Sequence, residues 1–183
     1  MKRALAVLLC LVSCWLYYVF FVNNGFVEVT LDVSKKTDFK IYWAESGKQY
    51  SEQNMAEATA TPERKQYTFF LTDIRKIERL RVDTHSYEGE ATLKRLQIEQ
   101  DGYAPLVLSN AEGFEKLVPL AQIEEYKISE DGLWVKSTDD DPNFEWVISP
   151  QYQGLDYIPL VLTFACIILF VWFVVRSARP LAK

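Results

Sequence analysis

The stretch Val27-Glu28-Val29-Thr30-Leu31-Asp32-Val33 decides the fold. Branched apolar residues alternate with polar ones, so the two sets fall on opposite faces of an extended chain and one face is buried. A helix, with its period of roughly 3.6 residues, would scatter the same residues around its axis. The alternation recurs toward the C-terminus. Phe39, Ile41 and Trp43 are separated by Lys40 and Tyr42, Tyr67, Phe69 and Leu71 form another set, and Leu80 and Val82 lie between Arg79, Arg81 and Asp83. Leu96 and Ile98 follow, then Leu106 to Leu108, Tyr126 to Ile128, Leu133 to Val135 and Phe144 to Ile148. Ser46-Gly47, Tyr87-Glu88-Gly89, Asp101-Gly102 and Asp131-Gly132 break the runs. About eight or nine short strands at this spacing predict an all-β sandwich. A short helix is predicted from Ala111 to Val118, capped by Asn110 and stopped by Pro119.

Outside this region the pattern changes. No charge occurs from Ala4 to Val22 or from Ile158 to Val175. Each run makes about 28 Å of helix, against a hydrocarbon core of about 30 Å. Two flanking transmembrane helices are therefore expected, with Pro159 beginning or kinking the second. The expected organisation is an N-terminal transmembrane helix over 1–23, a β-domain over 24–156, a second transmembrane helix over 157–176 and a short basic tail over 177–183. Lys2, Arg3, Arg176, Arg179 and Lys183 flank the spans on their outer ends. All 25 acidic residues, but only the remaining 15 of 20 basic ones, lie between the spans, which leaves the middle near −10. Basic flanks stay in the cytoplasm, so both termini are expected there and the β-domain outside. Tyr17, Tyr18, Tyr157 and Trp172 lie toward span ends, where rings favour the interface. The first run also reads as a signal peptide, and Leu11-Val12-Ser13-Cys14 resembles a bacterial lipobox with Cys14 as the lipidated residue. Against cleavage, the apolar run continues through Trp15 to Val22. Ala6, Cys10 and Cys14 recur four residues apart, a stripe of small side chains suited to helix packing. The three cysteines all lie within the apolar runs, so no disulfide is expected in the β-domain, which fits a bacterial envelope protein better than a stapled animal ectodomain.

The residues Phe39-Lys40-Ile41-Tyr42-Trp43, Tyr50-Ser51-Glu52, Tyr67-Thr68-Phe69-Phe70-Leu71, Ile77-Glu78-Arg79-Leu80-Arg81-Val82-Asp83 and Leu93-Lys94-Arg95-Leu96-Gln97-Ile98 together resemble a jelly-roll domain appended to bacterial membrane glycosyltransferases and other envelope-polysaccharide proteins. Asp141-Pro142-Asn143-Phe144 is similar to its closing strand, and Thr84 stands where that family has proline. The resemblance covers roughly residues 26–149. It implies a jelly-roll sandwich and a role in glycan metabolism, without implying catalysis.

No catalytic set emerges from the residues. His85 is the one histidine and reads as a surface-loop residue; no phosphate loop, nucleophile elbow or zinc-protease motif occurs. Asp139-Asp140-Asp141 offers oxygen ligands for calcium but reads better as a solvated loop. Glu124-Glu125 and Glu130-Asp131 are adjacent surface acids, not carboxyls set across a sugar-sized cleft. Sugar faces stack on aromatic rings, so Tyr42, which alternates with the core set and should point outward, joins Tyr50, Tyr87, Tyr103 and Trp134 as a glycan-binding candidate. Arg81 is a further candidate, its outward arginine being met by neighbouring acids or by glycan. The acidic middle disfavours nucleic acid. The expectation is a cofactor-free, non-enzymatic membrane protein that binds or positions a glycan or lipid-linked sugar for a polytopic glycosyltransferase, flippase or polymerase. The other class open is a structural or sensory envelope protein whose sandwich binds another protein.

Overall fold

The computed structural model describes residues 2–148 and 157–177, with side chains from residue 7 onward except 157 and 159. Eleven strands run between two apolar helices, α1 (Lys2–Tyr17) and α3 (Tyr157–Ser177). They are β1 (Gly25–Val33), β2 (Thr37–Glu45), β3 (Met55–Ala60), β4 (Gln66–Leu71), β5 (Ile77–Asp83), β6 (Glu90–Glu99), β7 (Leu106–Leu108), β8 (Leu117–Ala121), β9 (Ile123–Ser129), β10 (Gly132–Ser137) and β11 (Asn143–Val147). All pairings are antiparallel. A six-stranded sheet has the order β4-β1-β6-β10-β9, with β7 also on β6; a five-stranded sheet has the order β3-β2-β5-β11-β8. Set side by side, the two orders pair each strand with its neighbour in sequence: β4 with β3, β1 with β2, β6 with β5, β10 with β11, β9 with β8. The chain thus crosses repeatedly from sheet to sheet.

One apolar core joins the sheets. Val27, Val29, Leu31, Phe39, Ile41, Leu80, Val82, Leu96, Ile98, Leu133, Val135 and Phe144 are all at most 1 % exposed. The strand register places the alternating set of each strand inward, and Leu80 and Val82 face the core as expected. Rings from opposite sheets meet, Phe39 with Phe69 at 6.2 Å and Tyr126 with Phe144 at 5.8 Å.

Three expectations change. Asn110 does accept from Gly113 N at 2.9 Å, but the helix it caps, α2 (Ala111–Phe114), is a single turn and residues 117–121 form β8 instead. Pro119 sits on this edge strand, a position where proline is tolerated in a sheet, rather than ending a helix. The third change is β3, Met55-Ala56-Glu57-Ala58-Thr59-Ala60, an edge strand without a large branched residue to announce it.

By length and composition α3 can cross a bilayer: Leu160–Ser177 is 18 residues with mean hydropathy 2.4 and is 6 % buried. Its backbone starts two residues before Pro159, which therefore falls in the first turn, where proline is tolerated. Val7–Val22 forms a shorter apolar helix whose last turn, Tyr18–Val22, is π-helical. The two pack side by side. The less exposed positions of α3 are Leu160, Thr163, Phe164, Ile167, Val171 and Val175, one stripe at helical spacing. On α1 they are Cys10, Ser13, Cys14 and Tyr17, and the Tyr17 ring meets Phe164 edge-on at 5.2 Å. Cys10 and Cys14 of the expected small-residue stripe therefore lie on the half-buried face; the side chain of Ala6, the connector 150–154 and the tail beyond Ser177 fall outside the described residues.

Candidate functional site

The outer faces of the two sheets differ, and the difference locates the site. On the five-stranded sheet the outward positions are already occupied. The Ser46–Asn54 loop folds back over the sheet, where Tyr50 Oη donates to Glu145 Oε1 at 2.9 Å and Tyr42 Oη donates to Glu52 Oε1 at 3.2 Å. Arg79 Nη2 donates to the Lys48 carbonyl at 2.9 Å and its Nη1 pairs with Glu145 at 3.2 Å. Arg81 grips Asp83 through two bonds of 2.8 and 2.9 Å and reaches both oxygens of Asp141 at 2.7 and 2.6 Å. The guanidinium groups of Arg79 and Arg81 also lie over the Tyr50 and Tyr42 rings, at 5.3 and 5.0 Å. Tyr42 points outward as the alternation requires, but this cover leaves it only 7 % exposed. Burial, and then the Glu52 carboxylate, push its hydroxyl up to about 12. Burial and Glu145 likewise raise Tyr50. Arg79 and Arg81 stand on the same face of β5, and the acids beside them offset the repulsion between their charges. Of the three expected glycan candidates here, Tyr42, Tyr50 and Arg81, each hydrogen-bonds to a carboxylate of the protein itself.

His85 is a correction. It is 1 % exposed, not a surface-loop residue. Its Nε2 is 2.9 Å from Ser137 Oγ and its Nδ1 is 2.9 Å from Thr84 Oγ1. Ser137 gives its hydroxyl proton to the Tyr87 carbonyl at 2.9 Å, so the imidazole donates from Nε2 and accepts from Thr84 at Nδ1. Both ring nitrogens are satisfied in the neutral form, and burial brings the group down to about 4. The Ser137–His85–Thr84 chain has the contacts of a nucleophile relay but the wrong polarity and no access: the serine proton points at a backbone carbonyl, and Ser137 is 1 % exposed. It is a structural link between the loop after β5 and the end of β10.

Tyr87 and Trp134 converge on Glu90. Tyr87 Oη donates to the Glu90 carbonyl at 2.7 Å and accepts from Ser34 N at 3.2 Å, and Lys35 Nζ lies 4.6 Å over its ring. Trp134 Nε1 donates to Glu90 Oε2 at 3.4 Å. Tyr103 packs against the core instead. Asp141 is turned to Arg81 while Asp139 and Asp140 are exposed, and the described residues bring no three His, Cys, Asp or Glu side chains together as a metal site.

The six-stranded sheet keeps its outer face open. Its register sets out rows across β4, β1 and β6: Phe70, Phe26 and Glu99; then Thr68, Glu28 and Gln97; then Gln66, Thr30 and Arg95. The next row carries Asp32, Thr92 and Trp134, with Lys65 and Lys94 both on Asp32 at 2.9 and 2.6 Å. Glu28, Thr30, Gln66, Thr68 and Arg95 line a cleft of about 270 Å³. Arg95 Nε donates to Gln97 Oε1 at 3.1 Å, and Gln97 passes its amide on to Glu99. Hydroxyl, amide, guanidinium and carboxylate groups thus stand side by side on a rigid sheet without a nucleophile and base in contact. That set suits binding of a polyhydroxylated ligand, and of the expected candidates only Trp134 shares this face. The cleft residues are individually unremarkable polar positions of alternating strands, and sequence carries no signal for which face a loop will cover. Comparison of the chain with protein-family profiles, curated proteins and solved structures gave no match.

Proposed function

We propose that this protein is a membrane-anchored, non-enzymatic accessory module whose jelly-roll sandwich lies outside the cytoplasm of a bacterium and binds or positions a glycan or lipid-linked sugar. It serves a polytopic glycosyltransferase, flippase or polymerase of the inner membrane. The observation that carries the reading is the open polar cleft of Glu28, Thr30, Gln66, Thr68 and Arg95, set across β1, which follows α1 in the chain, and its neighbours β4 and β6. Sugar hydroxyls need both donors and acceptors, and the cleft offers both. The family resemblance supplies the substrate class.

The two-span topology is supported by α3, which is long enough to cross, by the helical stretch Lys2–Val22, and by the pairing of the two. Because α1 enters the domain and α3 leaves it while packed against each other, their free ends lie on the same side. Together with the basic flanks, this arrangement supports a cytoplasmic location for both termini. Reporter fusions at each terminus should both read cytoplasmic; one periplasmic terminus, or a mature chain starting at Cys14, refutes this arrangement.

The binding test uses the full chain in detergent on a glycan array, with affinity purification from native membranes. Arg95→Ala and Gln66→Ala should abolish glycan capture with the melting temperature unchanged. No glycan bound and no glycan-processing membrane protein co-purified would end the proposal. A second reading, a sensory or structural protein that docks another protein, is favoured by Val118, Leu120 and Val147, exposed near the β8 edge at 55, 49 and 41 %. Variants with Glu at Val118 and Leu120 would then lose the co-purified partner while the Arg95 variant keeps it.

A further inference from the structure

A continuous line of aromatic rings runs from α3 across α1 onto the open sheet. Phe164 meets Tyr17 at 5.2 Å, Tyr17 meets Phe21 at 5.7 Å, Phe21 meets Phe26 at 6.0 Å and Phe26 meets Phe70 at 5.0 Å. Phe26 and Phe70 are cross-strand partners on the outer face, and Phe70 is 66 % exposed. Phe20 and Phe21 are 54 and 45 % exposed beside them. Only polar rows follow on the same three strands.

We infer that Phe26 and Phe70 seat the six-stranded sheet in the headgroup–acyl boundary of the bilayer, so that the polar cleft opens directly at the lipid surface. This rests on the membrane anchoring proposed above. The occupant follows from continuity: these rings extend, without a gap, the apolar surface of the two helices, and the chain has no room to lift the sheet away. Only Asn23 and Asn24 separate the last helical turn from β1, and both are fixed to the helix, Asn23 N to the Tyr18 carbonyl at 3.1 Å and Asn24 Nδ2 to the Val19 carbonyl at 2.7 Å. The domain clamps the same junction. Gln100, 3 % exposed, donates to the Val22 carbonyl at 2.5 Å and to Asp73 Oδ1 at 3.0 Å, and Arg75 Nη2 donates to Asn23 Oδ1 at 2.9 Å.

The polarity gradient has the dimensions of the interface. Outward rows on a strand are spaced by two residues, about 7 Å. The headgroup zone on each side of a bilayer is about 5–7 Å thick. With the phenylalanine row at the inner edge of that zone, the Glu28 row stands at its outer edge and the Arg95 row in water. Aromatic rings are favoured at this depth. Glu99 and Asp101 border the rings, Asp101 accepting from Tyr17 Oη at 2.7 Å, so the attraction is apolar seating and does not call for anionic lipid. A ligand whose lipid tail stays in the bilayer would meet the cleft with its headgroup.

Photocrosslinking of the full chain in phosphatidylcholine nanodiscs tests this. Benzoylphenylalanine in place of Phe70 keeps an aromatic ring there; parallel chains carry it at Gln66 and at Ile168 of α3. The expected result is a mass gain of one lipid at positions 70 and 168 and none at 66. Lipid adduct at 168 but none at 70 overturns the inference and leaves the anchoring intact. A protein–protein adduct at 70 overturns it in favour of a second copy. No lipid adduct at 168 overturns the anchoring and the inference together.

Discussion

Asp83 and His85, two residues apart and both buried, should give the domain opposing pH dependences that cancel in the native chain. Burial raises Asp83 from 3.8 to about 7, against the pull of Arg81 and with the help of the Asp141 carboxylate. The folded state therefore keeps a proton that the unfolded chain releases. Stability from this group is complete below about pH 4 and is lost as pH rises toward 7. Burial lowers His85 from 6.5 to about 4, so here the unfolded chain takes up the proton first. Its contribution is complete above about pH 6.5 and is lost as pH falls toward 4. Each slope is at most about 1.4 kcal/mol per pH unit. Summed over the two windows they amount to about 3 to 4 kcal/mol, of opposite sign. Asp32, lowered by its bonds from Lys94 and Lys65, and Asp73, lowered by Arg75 and Gln100 against the effect of burial, matter only on the acid side of this range.

The perturbations are His85→Gln and Asp83→Asn, in the full chain in detergent, with urea unfolding followed by tryptophan fluorescence from pH 4.5 to 7.5. The native chain should show a nearly flat midpoint up to pH 6.5. His85→Gln should lose stability as pH rises, and Asp83→Asn should gain it. Comparing slopes removes whatever each substitution costs at all pH values. If both variants keep the native profile, or Asp83→Asn becomes less stable with rising pH, the buried-group argument is wrong.

Three stability changes follow from the packing. Leu80→Ala, at a fully buried position of the central strand β5, should cost about 2–5 kcal/mol by urea unfolding. Arg81→Ala should cost about 1 kcal/mol at pH 7.5, because Asp83, already raised to about 7, takes up a proton when its guanidinium partner leaves instead of staying as a stranded charge; the loss should grow as pH rises further. Gly132→Ala should cost about 2 kcal/mol or more, since φ is +130° and a Cβ there would lie 2.5 Å from the Leu93 carbonyl oxygen; calorimetry of the variant checks it.

Much of the fold was legible because alternation reports burial directly. Val27, Val29, Leu31 and Val33, and likewise Leu80 and Val82, face inward as their spacing requires. Turn signals at Ser46-Gly47 and Asp131-Gly132 fall where the glycines take positive φ. The edge strands were not legible. An edge strand buries less, so β8 exposes four of its five residues and β3 manages with alanines. His85 was misplaced for a related reason. Its neighbours in sequence look like a loop, but the partner that makes burial tolerable, Ser137, is 52 residues away. Local sequence shows what a residue needs, not who will supply it.

The same limit governed the site. Outward-facing aromatics were the natural candidates, yet Tyr42 and Tyr50 sit on the sheet that the Ser46–Asn54 loop covers, and their hydroxyls are spent on Glu52 and Glu145. On that face each arginine of β5 has found a carboxylate, so a ligand would have to break ion pairs to enter. On the opposite face the bonding is incomplete in a useful way. Arg95 is held in place by a neutral amide, Gln97, and not by an acid, which fixes its direction without neutralising it. Glu28 and Arg95 occupy adjacent rows across β1 and β6, so donor and acceptor capacity remain within one cleft. Polar groups that are oriented but not saturated can still take up a ligand, and the proposed glycan site rests on the sheet that continues from α1 because Arg95 and Glu28 there are in that state.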